Sequence, residues 1–116
     1  MELETFLQRL GTVPESVTFD ETMAVIDAHY SFSPTAFRNG LLNNAAGQNN
    51  GSCKLFSFAR LHGLSQQQTL HCFGKYYRDD VCMHPDGSDH QNIRNFIQTG
   101  WAGIEFSGDA LSPKQP

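Results

Sequence analysis

The sequence predicts an α+β fold, mainly helical, with about five helices and a small antiparallel sheet. Three observations carry that expectation. Apolar residues recur at three- and four-residue spacing through most of the chain, two Ser/Thr-x-x-Glu/Gln boxes mark helix starts, and two short stretches have hairpin or alternating strand patterns. A length of 116 residues matches one domain with one core. The expected division is a single domain over residues 1–108 and a flexible tail over 109–116, where Ser, Pro, Lys and Gln offer little to bury.

Taken in order, Leu3, Phe6, Leu7 and Leu10 form a helical stripe that stops at Gly11 and Pro14. Thr18-x-x-Glu21 caps a second helix whose stripe of Phe19, Met23, Ile26 and Tyr30 faces inward. Pro34 ends it. Ala36-Phe37-Arg38 then leads into Asn39-Gly40, read as the two-residue turn of a hairpin closing near Leu42. Residues 43–51, rich in Asn, Gly and Gln and without periodicity, form an irregular loop. Ser52 caps a central helix that is apolar on more than one side through Leu55, Phe56, Phe58, Ala59 and Leu61, and Gly63 ends it. Ser65-x-x-Gln68 opens a helix expected to run through Gly74, with a kink there, until Pro85. After the Asp86-Gly87 turn, Ser88 or Asp89 caps a last helix with Ile93, Phe96 and Ile97 on its apolar face, closed by Gly100. Ala102, Ile104 and Phe106 alternate with Gly103 and Glu105 as a half-buried strand that joins the hairpin.

Composition excludes several function classes. The net charge of −4, with eight Lys and Arg, leaves no basic run able to neutralise successive phosphates, so nucleic acid is not an expected partner. No apolar stretch approaches the roughly 20 residues of a membrane span, and Met1-Glu2-Leu3-Glu4 lacks the basic start of a secretory signal, which points to cytosolic synthesis and no membrane partner. Cys53, Cys72 and Cys82 include no close-spaced pair, so reduced thiols are expected and no disulfide framework, zinc ribbon or other cofactor is encoded.

Three constellations could carry chemistry. Gln48 followed by Gly51-Ser52-Cys53 is similar to the start of papain-like proteases, with the spacing departing by one. Cys53 would lie in a first helical turn, where the macrodipole favours a thiolate, and its base would come from His90 or His29 with Asn92 as an orienting group. The catalytic candidates are therefore Cys53, His90, His29 and Asn92. The stretch containing His84, Asp86 and His90 has the donor types of a metal site but not a diagnostic spacing, since the Pro85-Asp86-Gly87 turn separates the two imidazoles. The loop from Gly40 to Lys54 has glycines and more side-chain amides than a turn requires. It lacks the Gly-Lys-Ser/Thr order and the strong preceding strand of a phosphate loop, which argues against nucleotide hydrolysis, but Arg38, Asn43, Asn44, Gln48, Asn49 and Ser52 could read a small polar ligand or the backbone of a partner protein. Arg78 beside Asp79 and Asp80 reads as an ion pair, and Tyr76, Tyr77 and Trp101 as aromatics at the core rim.

Several longer blocks carry a resemblance. They are Asp20 through Tyr30, Pro34-Thr35-Ala36-Phe37-Arg38-Asn39-Gly40, Asn44-Ala45-Ala46-Gly47-Gln48-Asn49 with Gly51-Ser52-Cys53-Lys54, Phe73 with Tyr76 through Val81, His84-Pro85, His90 through Phe96, and Gly100-Trp101-Ala102-Gly103-Ile104. On these the chain resembles the HopJ family of small bacterial proteins, catalogued as type III secretion effectors. The resemblance implies a bacterial source and possible export into a host cell, and it carries no catalytic residues with it. A type III export signal is a mobile N-terminal stretch, whereas residues 3–10 read as a docked helix, so a non-exported cytosolic protein is the competing reading. The function expected is non-enzymatic binding, with a small hydrolase using Cys53 or a His/Asp metal site as the alternative. Oligomeric state is not readable from the sequence.

Overall fold

A computed structural model describes residues 2–114. At its middle lies a helix, Asn50–Leu61, whose Cys53, Leu55, Phe56, Ser57, Phe58 and Ala59 are all buried, because other elements cover it on several sides. In chain order the elements are α1 (Leu3–Thr12), α2 (Phe19–His29), β1 (Tyr30–Phe32), β2 (Phe37–Asn39), β3 (Leu42–Asn44), α3 (Asn50–Leu61), α4 (Gln66–His71), α5 (Gln91–Thr99), β4 (Ile104–Phe106) and β5 (Leu111–Pro113). Short 3-10 turns precede α2 and follow α5, and a π-helical turn spans Tyr76–Val81. The fold is α+β and mainly helical, as the sequence predicts. Two small antiparallel sheets flank the helices, one in the order β3-β2-β4 and the other pairing β1 with β5.

The core is dominated by phenylalanine. Phe6, Phe56, Phe58 and Phe96 are fully buried, with Phe56 in ring contact with Phe37, Phe73, Phe96 and Trp101. Both capping boxes form as read: the Thr18 hydroxyl accepts from the Glu21 N–H while Glu21 accepts from the Thr18 N–H, and Ser65 and Gln68 repeat the pattern. Glu21 has a second duty that the sequence does not announce. Arg9 donates to both of its carboxylate oxygens, at 2.7 and 2.8 Å, tying α1 to the start of α2. Gly63 closes α3 at φ +62, with the Leu64 N–H reaching the Ala59 carbonyl at 2.9 Å, a Schellman ending.

Several expectations need correction. The hairpin turn is one residue later than read: Asn39 pairs with Leu42, so Gly40 and Leu41 form the turn, Gly40 takes the positive φ and Asn39 is a fully buried strand residue. Ser52 does not cap α3; Asn49, in the left-handed region at φ +52, precedes it. Neither Ser88 nor Asp89 caps α5, whose preceding residue is His90 at φ +51. The helix after Ser65 ends at His71 instead of continuing past Gly74, which sits at φ +63 with the Phe19 backbone nitrogen 2.7 Å from where a Cβ would be. Only glycine allows this close approach of the chain to α2. Arg78 does not pair with its acidic neighbours. The π turn aims it at the carbonyls of Pro14, Val17 and His71, where it holds the α1–α2 connection against α4. Residues 109–114, expected to fray, instead dock: Ala110 and Leu111 are buried, and β5 zips onto β1 with Leu111 opposite Phe32. Two apolar side chains and a strand ladder outweigh the polar composition of that stretch. Residues 115 and 116 of the expected tail lie outside the described residues.

Candidate functional site

Two helix starts and one aromatic wall build the site. α3 and α5 both begin after a left-handed residue, and neither has a side-chain cap. The first intrahelical bonds are Cys53 N–H to Asn49 O in α3, and Ile93 and Arg94 N–H to His90 O in α5. The N–H groups of Asn50, Gly51 and Ser52, and of Gln91 and Asn92, therefore have no acceptor among the described residues. Both helix starts border one groove of about 590 Å³, whose opposite wall is Phe19, Phe73 and Tyr76. The Phe19 and Tyr76 rings meet edge to face at 5.3 Å, and His90 lies against Tyr76 with centroids also 5.3 Å apart. The His90 Nε2 is 3.0 Å from the Asp80 carboxylate and 3.7 Å from that of Asp89.

A buried amide network holds the two helix starts to the sheet. Asn39 Nδ2 donates to the Asn92 carbonyl at 2.7 Å and to Asn92 Oδ1 at 3.0 Å. Asn44 and Asn92 exchange amide bonds at 3.1 Å each, and Asn49 Nδ2 closes the set on Asn44 Oδ1 at 2.7 Å. One acceptor, Asn39 Oδ1, is buried without a partner among the described residues. A network that leaves an acceptor unpaired is not optimised for stability alone.

The six ligand-binding candidates divide between two grooves on either side of this network. Ser52 and Asn49 border the first. Arg38, Asn43, Asn44 and Gln48 border a second groove of about 470 Å³ that draws on all three strands of the β3-β2-β4 sheet, with Glu105 and Phe106 also in its lining. There Arg38 is already committed, donating to Glu105 at 2.8 Å and to the Gly40 carbonyl, while Gln48 Oε1 accepts from the Ala45 N–H and so closes the loop on itself.

The catalytic candidates do not assemble. Cys53 is 1% exposed, its Sγ is 3.4 Å from the Thr35 carbonyl, and burial pushes its thiol pKa up, opposing the thiolate that the macrodipole would favour. No hydrogen bond links it to His90 or His29 among the described residues, and the Asn92 amide is spent on Asn39 and Asn44. His29 ends α2 and borders none of these grooves. For the metal candidates, His84 and Asp86 are exposed on the turn while His90 faces Asp80, and among the described residues no three His, Cys, Asp or Glu side chains converge on one point. The sequence reading missed Phe19 and Phe73 as groove walls and the buried role of Asn39, none of which carries a local signal, and it offered Asp80 as a metal donor or a partner of Arg78, whereas Asp80 faces the His90 imidazole. Tyr76 and Trp101 do pack at the core rim, as read, but Tyr76 is also part of the groove wall.

No functionally curated protein matches the chain. A crystal structure described as that of the unknown function protein VPA0580 superposes with a TM-score of 0.97 at 54% sequence identity, covering 98% of this chain and 95% of that one. Among the described residues no helix is long and apolar enough to cross a membrane. The model of the HopJ type III effector protein family matches residues 3–111, and the chain belongs to that family.

Proposed function

We propose that this HopJ-family protein acts by non-covalent recognition, using the groove between the starts of α3 and α5 to hold a polar, acceptor-bearing ligand or partner segment. The observation that carries this reading is the coexistence, in one groove, of uncommitted N–H donors and an aromatic wall, while among the described residues neither Cys53 nor Ser52 is hydrogen-bonded to His90. Acceptor atoms of the bound group would meet the N–H groups of residues 50–52 and 91–92, and its apolar part would lie on Tyr76 and Phe19. Asn49 brings the loop over residues 43–49 to the groove, and the Asn44 and Asn49 amides hold the two helix starts in register.

The test is an amide NMR titration with fractionated bacterial and host small molecules and with host-protein extracts. Shifts confined to residues 49–52 and 90–93 support the reading. Turnover of an ester or amide substrate that Cys53→Ala or His90→Ala abolishes would overturn it. Delivery through a type III system is the finer part of the proposal, and it rests on the family description. Phe6 and Leu10 of α1 are buried, so export requires the domain to unfold first. A reporter fused behind residues 1–20 leaves the cell if the segment is an export signal, and a retained reporter refutes that step.

A further inference from the structure

Beside the C-terminal half of α3 lies a separate groove of about 380 Å³. One wall is Ser57, Arg60 and Leu61, which share a helix face by their three- and four-residue spacing, and the other is the connection from β4 to β5. Of its polar side chains Ser107 is committed, its hydroxyl donating to the Ala36 carbonyl at 3.1 Å, while Ser57, Arg60 and Asp109 are not. Ser57 is 8% exposed, yet its hydroxyl has no hydrogen-bond partner among the described residues. A mid-helix serine usually turns back to the carbonyl four residues earlier, whereas this one borders the groove. Arg60 and Asp109 both line the same space, and neither makes an ion pair or side-chain hydrogen bond among the described residues, with each other or with anything else. Leu61, 58% exposed, and Phe106 supply apolar surface between them.

An unpaired cation and an unpaired anion on facing walls, a half-sequestered hydroxyl and an apolar strip together describe a receptor for one kind of molecule. We propose that this groove binds a small zwitterion, an α-amino acid with an apolar side chain. The guanidinium of Arg60 and the hydroxyl of Ser57 take the carboxylate, a match of planar donor fork to planar acceptor. Asp109 takes the ammonium, and the side chain lies along Leu61 and Phe106. Arg60 and Asp109 are exposed on opposite walls of the groove and make no ion pair with each other, so a ligand between them can engage both. The volume is in the range of small-molecule pockets. This site is independent of the groove between the starts of α3 and α5, and the two readings stand or fall separately.

The test is an amide NMR titration of the full chain with L-leucine, N-acetyl-L-leucine and L-leucinamide, the last two lacking one charge each. Saturable shifts at residues 57–61 and 107–110 are expected with L-leucine, and each analogue should bind about tenfold or more weakly because a charge-assisted hydrogen bond is lost. Arg60→Gln and Asp109→Asn should each weaken leucine binding to a similar extent with an unchanged thermal melt, since neither side chain has a structural partner, and Ser57→Ala should weaken it less. The proposal is overturned if about 10 mM L-leucine, the edge of any meaningful affinity, produces no saturable shift there. It is equally overturned if N-acetyl-L-leucine binds as tightly as leucine, or if the shifts fall at residues 49–52 and 90–93 instead.

Discussion

Replacing Asn92 by alanine tests whether the buried amide network holds the two helix starts in place. The substitution removes three hydrogen bonds, from Asn39 Nδ2 at 3.0 Å, from Asn44 Nδ2 at 3.1 Å and to Asn44 Oδ1 at 3.1 Å. Each partner keeps one bond. Asn39 Nδ2 retains the Asn92 carbonyl at 2.7 Å, Asn44 Nδ2 retains the Phe37 carbonyl at 3.4 Å and Asn44 Oδ1 retains Asn49 at 2.7 Å. The cost is therefore the net value of three bonds, about 3 kcal/mol, without the larger penalty of stripping a buried group bare. For a domain of this size that corresponds to a fall of about 12 °C in Tm. Asn49→Ala removes one bond and should cost about 1 kcal/mol. The assay is urea unfolding followed by fluorescence of Trp101, the chain's single tryptophan, whose ring packs on Phe56 and Phe96. A double-mutant cycle of Asn44→Ala with Asn92→Ala should show a coupling of about 1 kcal/mol or more. An Asn92→Ala loss under about 1 kcal/mol, or one equal to that of Asn49→Ala, would refute the reasoning.

Other consequences follow from the same structure. In native protein only Cys82 should react quickly with a thiol reagent, since Cys53 and Cys72 are buried and burial raises the Cys72 thiol to about 12; fast modification of Cys53 would contradict its placement. Gly74→Ala combines a left-handed backbone with a Cβ 2.7 Å from the Phe19 nitrogen and should destabilise by about 3 kcal/mol or more, seen as a lowered urea midpoint. Truncation after Gly108 uncovers the core beneath Leu111 and removes the partner of β1, so a loss of about 3 kcal/mol is expected in the same assay, and an unchanged midpoint would mean that β5 contributes nothing. Burial lowers the pKa values of His62 and His71 below the ordinary 6.5, with the nearby Arg78 adding to the effect at His71. The unfolded chain then binds protons first, so stability is intact above that value and declines as the pH falls below it toward the folded-state values. His62→Gln should flatten this slope in melts taken between pH 7 and 5, a window set by the ordinary histidine range.

The legible parts of the sequence were those whose signal is local. Thr18 with Glu21 and Ser65 with Gln68 satisfy orphan N–H groups within one turn, so the residues that form each cap are adjacent in the chain. The central position of α3 was readable because apolar residues occupy more than one of its faces. The errors fell where distant residues decide. Asn39-Gly40 looks like a hairpin turn, but the Asn39 amide is worth more bonded to Asn92, and the turn moves along by one. Gly74 looked like a tolerable kink until the approach of α2 demanded a positive φ there. Of the candidate site, the sequence marks Ser52, Asn49, His90 and Asn92 in two separate constellations, and it is the fold that brings them to one groove.

By itself the sequence determined the α+β class, the helix starts with reciprocal caps and the Phe-rich core, because each depends on residue type and short-range spacing, and its long blocks carried the resemblance to the HopJ family that the family match bears out. Only the tertiary structure decided that Cys53 is sealed, that β5 is docked, that the asparagines form one network and that Arg60 and Asp109 face one space unpaired. Those outcomes depend on which surfaces exclude water and which partners meet across tens of residues, and no local pattern encodes either.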